Sequence, residues 1–461
     1  MIIQLGAIGD IINALPVLHD AYLNSGRQPQ PLLVSRPYAP ILDACSYIAP
    51  NITDEPYGNL DAVEAWCRKN HIRYTTMQVW RASRPNRARR ANYQIDNWHN
   101  ASRGVASCFQ QRPLALDRRD HDAETILADR YTDHRPIILL ALSGRSSPYP
   151  NADAVTSIVR RTFTDHNVID LSEITADKPQ HLLGLFDRAA LLVAADTMHQ
   201  HLALASSVPV IAMHHNSPWN ASCRRPNHVH YAPYSSSLTG IIEAIGPALS
   251  PYTGSITHIT SDHVPSGEAG ERYANAEASW TTPRTPIPSK GHHNDGKPFV
   301  HDIIDAAFDA LPNSDAITLT NSDIGTVPEL DTALRRIFAT KGAAFAWRHT
   351  LSSANKLTTR RDITSGTMDG GMDLIAIKRT WWTANRHKAP HQLFACAQWD
   401  VTWRDFIVRN GGGEIYGMIW HVEHPHQWSH DSAGSRLNHR VHRLYAQKHD
   451  LTMPFGRTLP G

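Results

Sequence analysis

The sequence lacks the features that mark secreted, membrane-spanning or zinc-ribbon proteins. Its five cysteines are scattered, odd in number and contain no C-x-x-C pair, which argues against a disulfide framework and favours a reducing cytoplasm. The longest apolar runs, at residues 137–142 and 189–195, are far shorter than the ~20 residues that span a bilayer. No basic segment precedes the first apolar residues, as a signal peptide would require. We therefore expect a cytoplasmic protein with no integral membrane segment.

An excess of one charge is also missing. The chain has 45 Lys and Arg against 43 Asp and Glu, and this balance does not indicate a nucleic-acid or anionic-membrane partner. Hydrophobic residues make up 41% of the sequence, which excludes global disorder and is enough for sizeable cores. The length of 461 residues, at roughly 150 residues per domain, predicts about three domains.

In the first half of the chain, short apolar runs typical of buried strands alternate with segments in which apolar residues recur at helical spacing. This alternation occurs in two successive blocks. This order predicts parallel sheets with crossover helices. A stretch rich in Pro, Ser and Gly at about residues 232–254 is interpreted as a linker, and residues 281–297 as a polar insertion. We predict an α/β fold throughout, with a first lobe at 1–133, a second lobe at 134–250 and a third domain at 254–461.

A glycine-containing turn follows the first apolar strand, in the segment LGAIGD at residues 5–10. Gly6 and Gly9 would let a ligand approach the backbone, and the N-terminus of the following helix favours an anion nearby. The carboxylate of Asp10 could deprotonate a hydroxyl group of that ligand, or it could be a first-turn residue favoured by the helix dipole. The turn alone leaves both interpretations open.

A second segment of this kind, ADTMHQHLA at residues 195–203, also follows a buried strand and begins a helix. Asp196 and Thr197 could cap the free N–H groups of that helix, or leave them for a diphosphate. His201 would then be either a ligand-facing residue or an ordinary buried histidine. This segment too permits both interpretations when it is taken alone.

Together, the two segments resemble the heptosyltransferase family of GT-B glycosyltransferases, the ADP-heptose enzymes of lipopolysaccharide synthesis. That family opens with a strand and L-G-x-x-G-D, and later carries D-T-G-x-x-H-L-A followed by G-V-P-V. Within residues 1–245, the residues that match this pattern are Leu5, Gly6, Gly9, Asp10, Asp196, Thr197, His201, Leu202, Ala203 and Val208-Pro209-Val210. Met198 replaces the glycine after Asp-Thr. The resemblance implies two Rossmann-like lobes, the first for the acceptor and the second for a nucleotide-sugar donor.

The same resemblance implies roles for individual residues. Asp10 is the expected base on the acceptor hydroxyl, and the turn at residues 196–203 is expected to hold the donor diphosphate without a metal or other cofactor. Arg145 stands where we expect a lysine near the pyrophosphate. The predicted donor-binding residues are Gly6, Gly9, Ser143, Gly144, Arg145, Asp196, Thr197 and His201.

The third domain contains a different motif. An apolar strand leads directly into Asn321-Ser322-Asp323, which could be an ordinary turn or could supply oxygen ligands to Mg²⁺ or Mn²⁺ that grip a sugar-nucleotide diphosphate. GT-A glycosyltransferases place their D-x-D metal motif at such a strand end, and residues 254–461 resemble a GT-A-like domain. Asn321 supplies an amide in place of the first carboxylate.

Further polar residues follow at the spacing expected for a GT-A-like domain. The resemblance implies that Asp400 acts as the base or as the anchor of the acceptor. It also implies that a late histidine completes the metal site, so the predicted ligands of a Mn²⁺ or Mg²⁺ ion are Asn321, Asp323 and His421, with His424 and His426 close by in sequence. Alternatively, these histidines belong to a solvated, aromatic-packed C-terminal segment.

An arginine-rich run follows the strand predicted at residues 74–80. Its guanidinium groups could bind phosphates of an acceptor, either a phosphorylated glycan or a nucleic-acid backbone, or they could belong to a solvated loop. The predicted acceptor-binding residues are Arg84, Arg87, Arg89 and Arg90.

The function that the sequence predicts is transfer of a sugar from a nucleotide-sugar donor to a hydroxyl acceptor. The architecture is a GT-B-like pair of Rossmann-like lobes followed by a GT-A-like domain, with two units that could each be active or could serve as a binding module. Two alternatives stay open. One is a phage-type glycosyltransferase that acts on hydroxymethylated bases in DNA, and the other is a non-catalytic protein that binds sugar nucleotides or glycans.

Overall fold

Strands and helices alternate through the chain, as the apolar spacing predicts. A computed structural model describes residues 1–55, 59–77, 114–144, 148–214, 228–261, 268–287, 297–368, 371–424 and 431–449. The described residues divide into two compact units, here called the N-terminal unit, within Met1–Leu249, and the C-terminal unit, which begins at Ser250. The α/β fold with parallel sheets is therefore confirmed.

The first sheet of the N-terminal unit is built around the glycine turn. Its described strands are β1 (Ile2–Ile3), β2 (Gln30–Ser35), β3 (Ile48–Thr53) and β4 (Thr75–Thr76). They are parallel and lie in the order β3-β2-β1-β4. The helices of this part are α1 (Ile8–Asn24) and α2 (Leu60–Lys69), with a 3₁₀ helix at Arg36–Ala44. The central position of β1 places the turn before α1 at the carboxyl edge of the sheet.

The second sheet of this unit is also parallel throughout its described strands. These are β5 (Ile137–Ala141), β6 (Asn167–Asp170), β7 (Ala189–Ala194), β8 (Val210–His214) and β9 (His228–Pro233). Their order is β6-β5-β7-β8-β9. The helices are α3 (His121–Tyr131), α4 (Ala152–Thr162), α5 (Leu183–Arg188), α6 (Met198–Leu202) and α7 (Leu238–Leu249), with 3₁₀ helices at Leu171–Glu173, Pro179–Leu182 and Ala203–Ala205. The strands β5 and β8 are buried along their whole length, as expected for a parallel sheet covered on both faces.

The interpretation of residues 232–254 as a linker is wrong. Helix α7 occupies most of that stretch, and Ile241 and Ile245 pack into the core of the second sheet. Their spacing of four residues is the signal of a buried helix face, and the surrounding Ser, Pro and Gly obscured it.

The C-terminal unit has one mixed sheet. Its described strands are β10 (Ile256–Ser261), β11 (Thr285–Ile287), β12 (Ala316–Thr320), β13 (Gly325–Thr326), β14 (Ala343–Leu351), β15 (Met372–Lys378) and β16 (Gly413–Val422). The order is β11-β10-β12-β15-β14-β16-β13, with β15 and β13 antiparallel to their neighbours. Strand β11 lies within residues 281–297, so that segment is not simply an insertion.

Helices cover the faces of this mixed sheet. They are α8 (Glu268–Ser279), α9 (Val300–Ala310), α10 (Leu330–Thr340), α11 (Arg360–Ser365), α12 (Arg379–Asn385), α13 (Trp399–Arg409) and α14 (Ala433–Lys448), with a 3₁₀ helix at Arg386–Lys388. Because β15 is antiparallel to β12, its first residues lie beside the last residues of β12. Across the part of the chain that the structure describes, no helix combines the length and apolar character needed to cross a membrane.

Candidate functional site

The turn after β1 is held by side chains on both of its sides. Gln4 is fully buried; its Oε1 accepts the Gly6 N–H at 3.0 Å, and its Nε2 donates to the carbonyl of Met77 at 3.2 Å. The half-buried Asp10 folds back over the turn, and its Oδ2 accepts the Ala7 N–H at 2.9 Å. A Cβ at position 6 would clash with this carboxylate, so the turn requires glycine there.

The structure brings the two segments of the N-terminal unit together. A Cβ at Gly9 would lie 3.1 Å from Cδ2 of His201 and 3.8 Å from Cα of Met198, so α1 packs closely against α6 at this point. His201 is buried, and its Nε2 lies 3.4 Å from Oδ1 of Asp196. The two motifs, nearly two hundred residues apart in sequence, therefore form one cluster.

The loop after β5 reaches the same edge of the second sheet. Ala141 pairs with Ala194, so the chain leaves both strands side by side, at Ser143 and at Asp196. Ser143 is exposed, whereas Thr197 is buried. The carboxyl ends of these strands thus gather most of the predicted donor-binding residues of the second lobe. Arg145 lies outside the described residues.

A neutral histidine adjoins this edge. Burial lowers the pKa of His199 to about 4, so its imidazole is uncharged at neutral pH. Its Nδ1 lies 3.3 Å from Oγ1 of Thr197. Met198, at the position of the family's glycine, is half-buried and begins a helix of only five residues.

The C-terminal unit contains a cluster of three ligand-type side chains. The Nε2 atoms of His421 and His424 lie 3.2 and 3.1 Å from Oδ2 of Asp323, and 3.0 Å from each other. The three side chains are 12, 13 and 26% exposed for His421, His424 and Asp323, so the cluster is accessible without being fully solvated. Because all three atoms face one another, they could hold a single metal ion.

Strand pairing explains why these residues meet. Gly325 in β13 pairs with Trp420 in β16, and this register places the turn after β12 beside His421. A Cβ at Gly325 would clash with the Trp420 ring, so glycine permits the close approach. Sequence analysis predicted Asp323 and His421 for this site, and the structure adds His424.

The histidines alter the acidity of the carboxylate. Burial by itself would raise the pKa of Asp323, but the hydrogen bonds and electrostatic attraction of His421 and His424 lower it well below its usual range. The carboxylate is therefore ionised throughout the physiological pH range, which is the state required of a metal ligand.

Asn321 and Asp400 are connected through an aspartate that sequence analysis missed. The Asn321 amide donates to Oδ1 of Asp373 at 2.8 Å, and Arg348 donates to Oδ2 of Asp373 at 2.6 Å. Burial, and after it the negative charge of Asp373, raises the pKa of Asp400, which lies in the first turn of α13. The Oδ1 atom of Asn321 is buried and has no hydrogen-bond partner among the described residues.

The signal for Asp373 was present but could not be interpreted from sequence alone. Asp373 stands near the start of an apolar strand, where a polar residue is usually solvated. Only the antiparallel direction of β15 brings it beside the end of β12 and hence beside Asn321. The predicted acceptor residues Arg84, Arg87, Arg89 and Arg90, together with His426, lie outside the described residues.

Comparisons with known proteins give structural neighbours only. No family model matches the sequence, and no curated protein matches it. Similar solved structures include the E. coli heptosyltransferase WaaC with ADP, at 13% identity over 53% of this chain and 98% of that one, with a TM-score of 0.39. E. coli ADP-heptose LPS heptosyltransferase II shares 11% identity over 53% of this chain and 96% of that one, at a TM-score of 0.38.

A glycosyl transferase family 9 protein from Veillonella parvula is a further neighbour. It shares 10% identity over 52% of this chain and 89% of that one, with a TM-score of 0.37. These neighbours are thus heptosyltransferases and family 9 glycosyltransferases, at low identity and over about half of this chain. At TM-scores below 0.5 they carry no argument about what this chain does.

Proposed function

We propose that this protein is a glycosyltransferase that moves a sugar from a nucleotide-sugar donor to a hydroxyl acceptor. In this proposal the C-terminal unit is a GT-A-like domain that works with a bound divalent ion. The observation that carries the proposal is the triangle of Asp323, His421 and His424, with edges of 3.0 to 3.2 Å. Asp323 follows the buried strand β12, and His421 lies in β16.

The donor set fits a divalent ion. It combines one ionised carboxylate with two imidazoles, and imidazole ligands favour first-row transition ions over Mg²⁺. Of the two ions predicted from sequence, Mn²⁺ therefore suits the set better. The buried Oδ1 of Asn321, which has no partner among the described residues, supports this residue as a further ligand. A bound ion would supply positive charge against the diphosphate of the leaving nucleotide.

Asp400 is assigned as the base. Burial, and after it the charge of Asp373, raises the pKa of Asp400 above that of an ordinary aspartate, which makes the carboxylate a stronger base. The carboxylate takes the proton of the acceptor hydroxyl while the new bond to the sugar carbon forms and the bond to the diphosphate breaks. Asp373 supports this role, because its negative charge contributes to the raised pKa.

The N-terminal unit is proposed as a second donor-binding unit. Its Asp10 would take the acceptor proton, and the cluster around Gly9, Asp196 and His201 would face the nucleotide diphosphate without a metal. The contact between Gly9 and His201 supports this assignment, because it unites the two motifs. Met198 weakens the case for activity, since its side chain stands where a glycine would let a phosphate approach the backbone.

Release of nucleoside diphosphate tests the proposal. The full chain is incubated with a pool of nucleotide sugars and Mn²⁺, and mass spectrometry identifies which donor is consumed. We expect a Mn²⁺-dependent part of the release, which EDTA removes and which the Asp323→Ala variant lacks; any release that persists in EDTA belongs to the metal-free N-terminal unit. Asp331→Ala is the matched control, because Asp331 forms an aspartate–histidine pair with His258 at 2.8 Å in the same unit but outside the triangle. Equal release by Asp323→Ala, or by chelator-treated wild type, would contradict the assignment.

A further inference from the structure

The turn that carries Asp323 is held in place by a buried arginine. The side chain of Arg284 is 0% exposed, and it donates to the carbonyls of Asn321 at 2.9 Å and Ser322 at 2.8 Å. It also donates to Oγ1 of Thr320 at 3.2 Å. Three consecutive residues that lead into Asp323 are therefore bound to one guanidinium group.

The other N–H groups of Arg284 bind a carboxylate. Its Nε and one terminal nitrogen donate to Oε2 of Glu277 at 2.8 and 2.6 Å. With these two bonds, all five N–H donors of the guanidinium have an acceptor. The ion pair offsets the cost of burying the charge, which leaves the remaining donors free to organise the turn.

The same segment holds the far side of the turn. The Trp280 indole donates to the carbonyl of Ile324 at 3.0 Å, and Oγ of Ser279 accepts the Thr326 N–H at 2.9 Å. The Trp280 ring also lies 5.1 Å from the Arg284 guanidinium carbon, within the range of a cation–π contact. Residues 279–284 thus bind the backbone on both sides of Asp323.

We infer that Arg284 is a positioning residue that directs the Asp323 carboxylate toward the two histidines. The inference rests on the metal site of the proposed function and assigns that site its supporting group. Asp323 follows directly after the two carbonyls that Arg284 binds, so a shift of those carbonyls moves the carboxylate as well. Lysine, with three donors on a single nitrogen, cannot bind Glu277 and both carbonyls with the geometry of the guanidinium fork.

Mn²⁺ affinity tests the inference without any need for the sugar donor. The free Mn²⁺ signal in electron paramagnetic resonance is titrated with the full-length wild type, Arg284→Met and Arg284→Lys. Groups that orient metal ligands typically contribute 10- to 100-fold in affinity, so we expect the dissociation constant to rise by at least about tenfold in both variants. Thermal unfolding without metal reports stability separately.

Arg379→Met is the matched control. Arg379 also donates to several backbone carbonyls of this unit, at 3.0 Å to Phe308 and 2.7 Å to Leu311, but these lie before β12 and away from the turn. We expect this variant to lose stability and to keep the wild-type Mn²⁺ affinity. An equal loss of affinity in Arg379→Met would show a general structural effect and overturn the inference.

Two further variants separate the inference from the proposed function. Asp323→Ala must abolish Mn²⁺ binding; if it binds as wild type does, the proposed metal site fails, and the inference with it. If Asp323→Ala loses binding while Arg284→Met and Arg284→Lys keep it, only the inference fails. Should both Arg284 variants not fold, Trp280→Phe removes a single hydrogen bond from the same turn. A several-fold weaker Mn²⁺ affinity in that variant supports the inference, and an unchanged affinity overturns it.

Discussion

Two turns of this protein carry an aspartate just beyond a buried strand, and the two carboxylates find their partners differently. Asp10 accepts the Ala7 N–H at the start of its own helix, three residues away. Asp323 faces His421 and His424, which are 98 and 101 residues away in sequence. A carboxylate satisfied by its own backbone needs no cation, whereas one that meets two imidazoles lies in a site suited to a metal. In the proposed function, this difference between the two turns corresponds to metal-free chemistry in the N-terminal unit and metal-dependent chemistry in the C-terminal unit.

The largest expected effect concerns Mn²⁺ binding. Asp323→Asn removes the anionic ligand itself. Mutation of residues that only orient metal ligands weakens metal binding by up to roughly 100-fold, so here we expect the dissociation constant for Mn²⁺ to rise by more than that. Asp10→Asn, the corresponding change in the other turn, should leave Mn²⁺ binding unchanged. Titration calorimetry on both variants measures this difference. A comparable loss of Mn²⁺ affinity in Asp10→Asn would remove the contrast between the two turns.

An intermediate effect is expected at Gly9. In Gly9→Val the new side chain would press against His201, and such overpacking typically costs about 1–3 kcal/mol in the free energy of unfolding. Gly246→Val is the control, because a Cβ at that helical glycine meets no atom within 4 Å. Urea denaturation of both variants gives the comparison. Equal stability of the two variants would mean that α1 and α6 are not in close contact at Gly9.

The smallest effect is a pH-dependent change in stability at Asp400. Because the pKa of this carboxyl is raised in the folded state, its favourable contribution is fully present below the unfolded pKa of about 3.9 and is lost as the pH rises through the folded pKa. Asp400→Asn should therefore be more stable than wild type at neutral pH and equal to it at acid pH, while it loses transfer activity. Thermal unfolding across this pH range measures the difference.

For Asp315, the expected change in stability with pH has the opposite sign to that for Asp400. Hydrogen bonds from the backbone and side chain of Ser255 lower the pKa of Asp315, so its contribution is present above about pH 3.9 and is lost as the pH falls. Asp315→Asn should thus be less stable than wild type at neutral pH. If both variants shift in the same direction, the pH dependence does not arise from these carboxyl groups.

Much of the fold could be predicted because apolar spacing was unambiguous. Apolar spacing predicts a strand at residues 316–320 and a helix at about residues 8–23, and the structure has β12 at Ala316–Thr320 and α1 at Ile8–Asn24. The spacing of apolar residues did not predict a helix where the buried face carries a charged side chain. In α3 the side chain of Glu124 is inside the protein, bound to Arg119 at 2.6 Å, so an inward-facing position looked like a solvated one.

The candidate site could be predicted only in part. Asp323 was predicted because it follows an apolar strand as the D-x-D motif of GT-A glycosyltransferases does, and His421 because a late histidine often completes the metal site in the family that the domain resembles. Asp373 and Arg284 were not found, because their roles depend on which strands are neighbours and in which direction they run. Sheet order and strand direction arise from packing over the whole unit, so a short sequence motif does not predict them.

The long sequence separation within the triangle has a consequence for synthesis of the protein. Asp323 leaves the ribosome about a hundred residues before His421 and His424, so a growing chain has no complete triangle until β16 has been made and paired with β13. Contacts of such high sequence separation form late, since the intervening chain must lose its entropy first. In the proposed function, the ion could therefore be held only after β16 has been made, and a chain truncated before residue 421 would lack two of the three ligands.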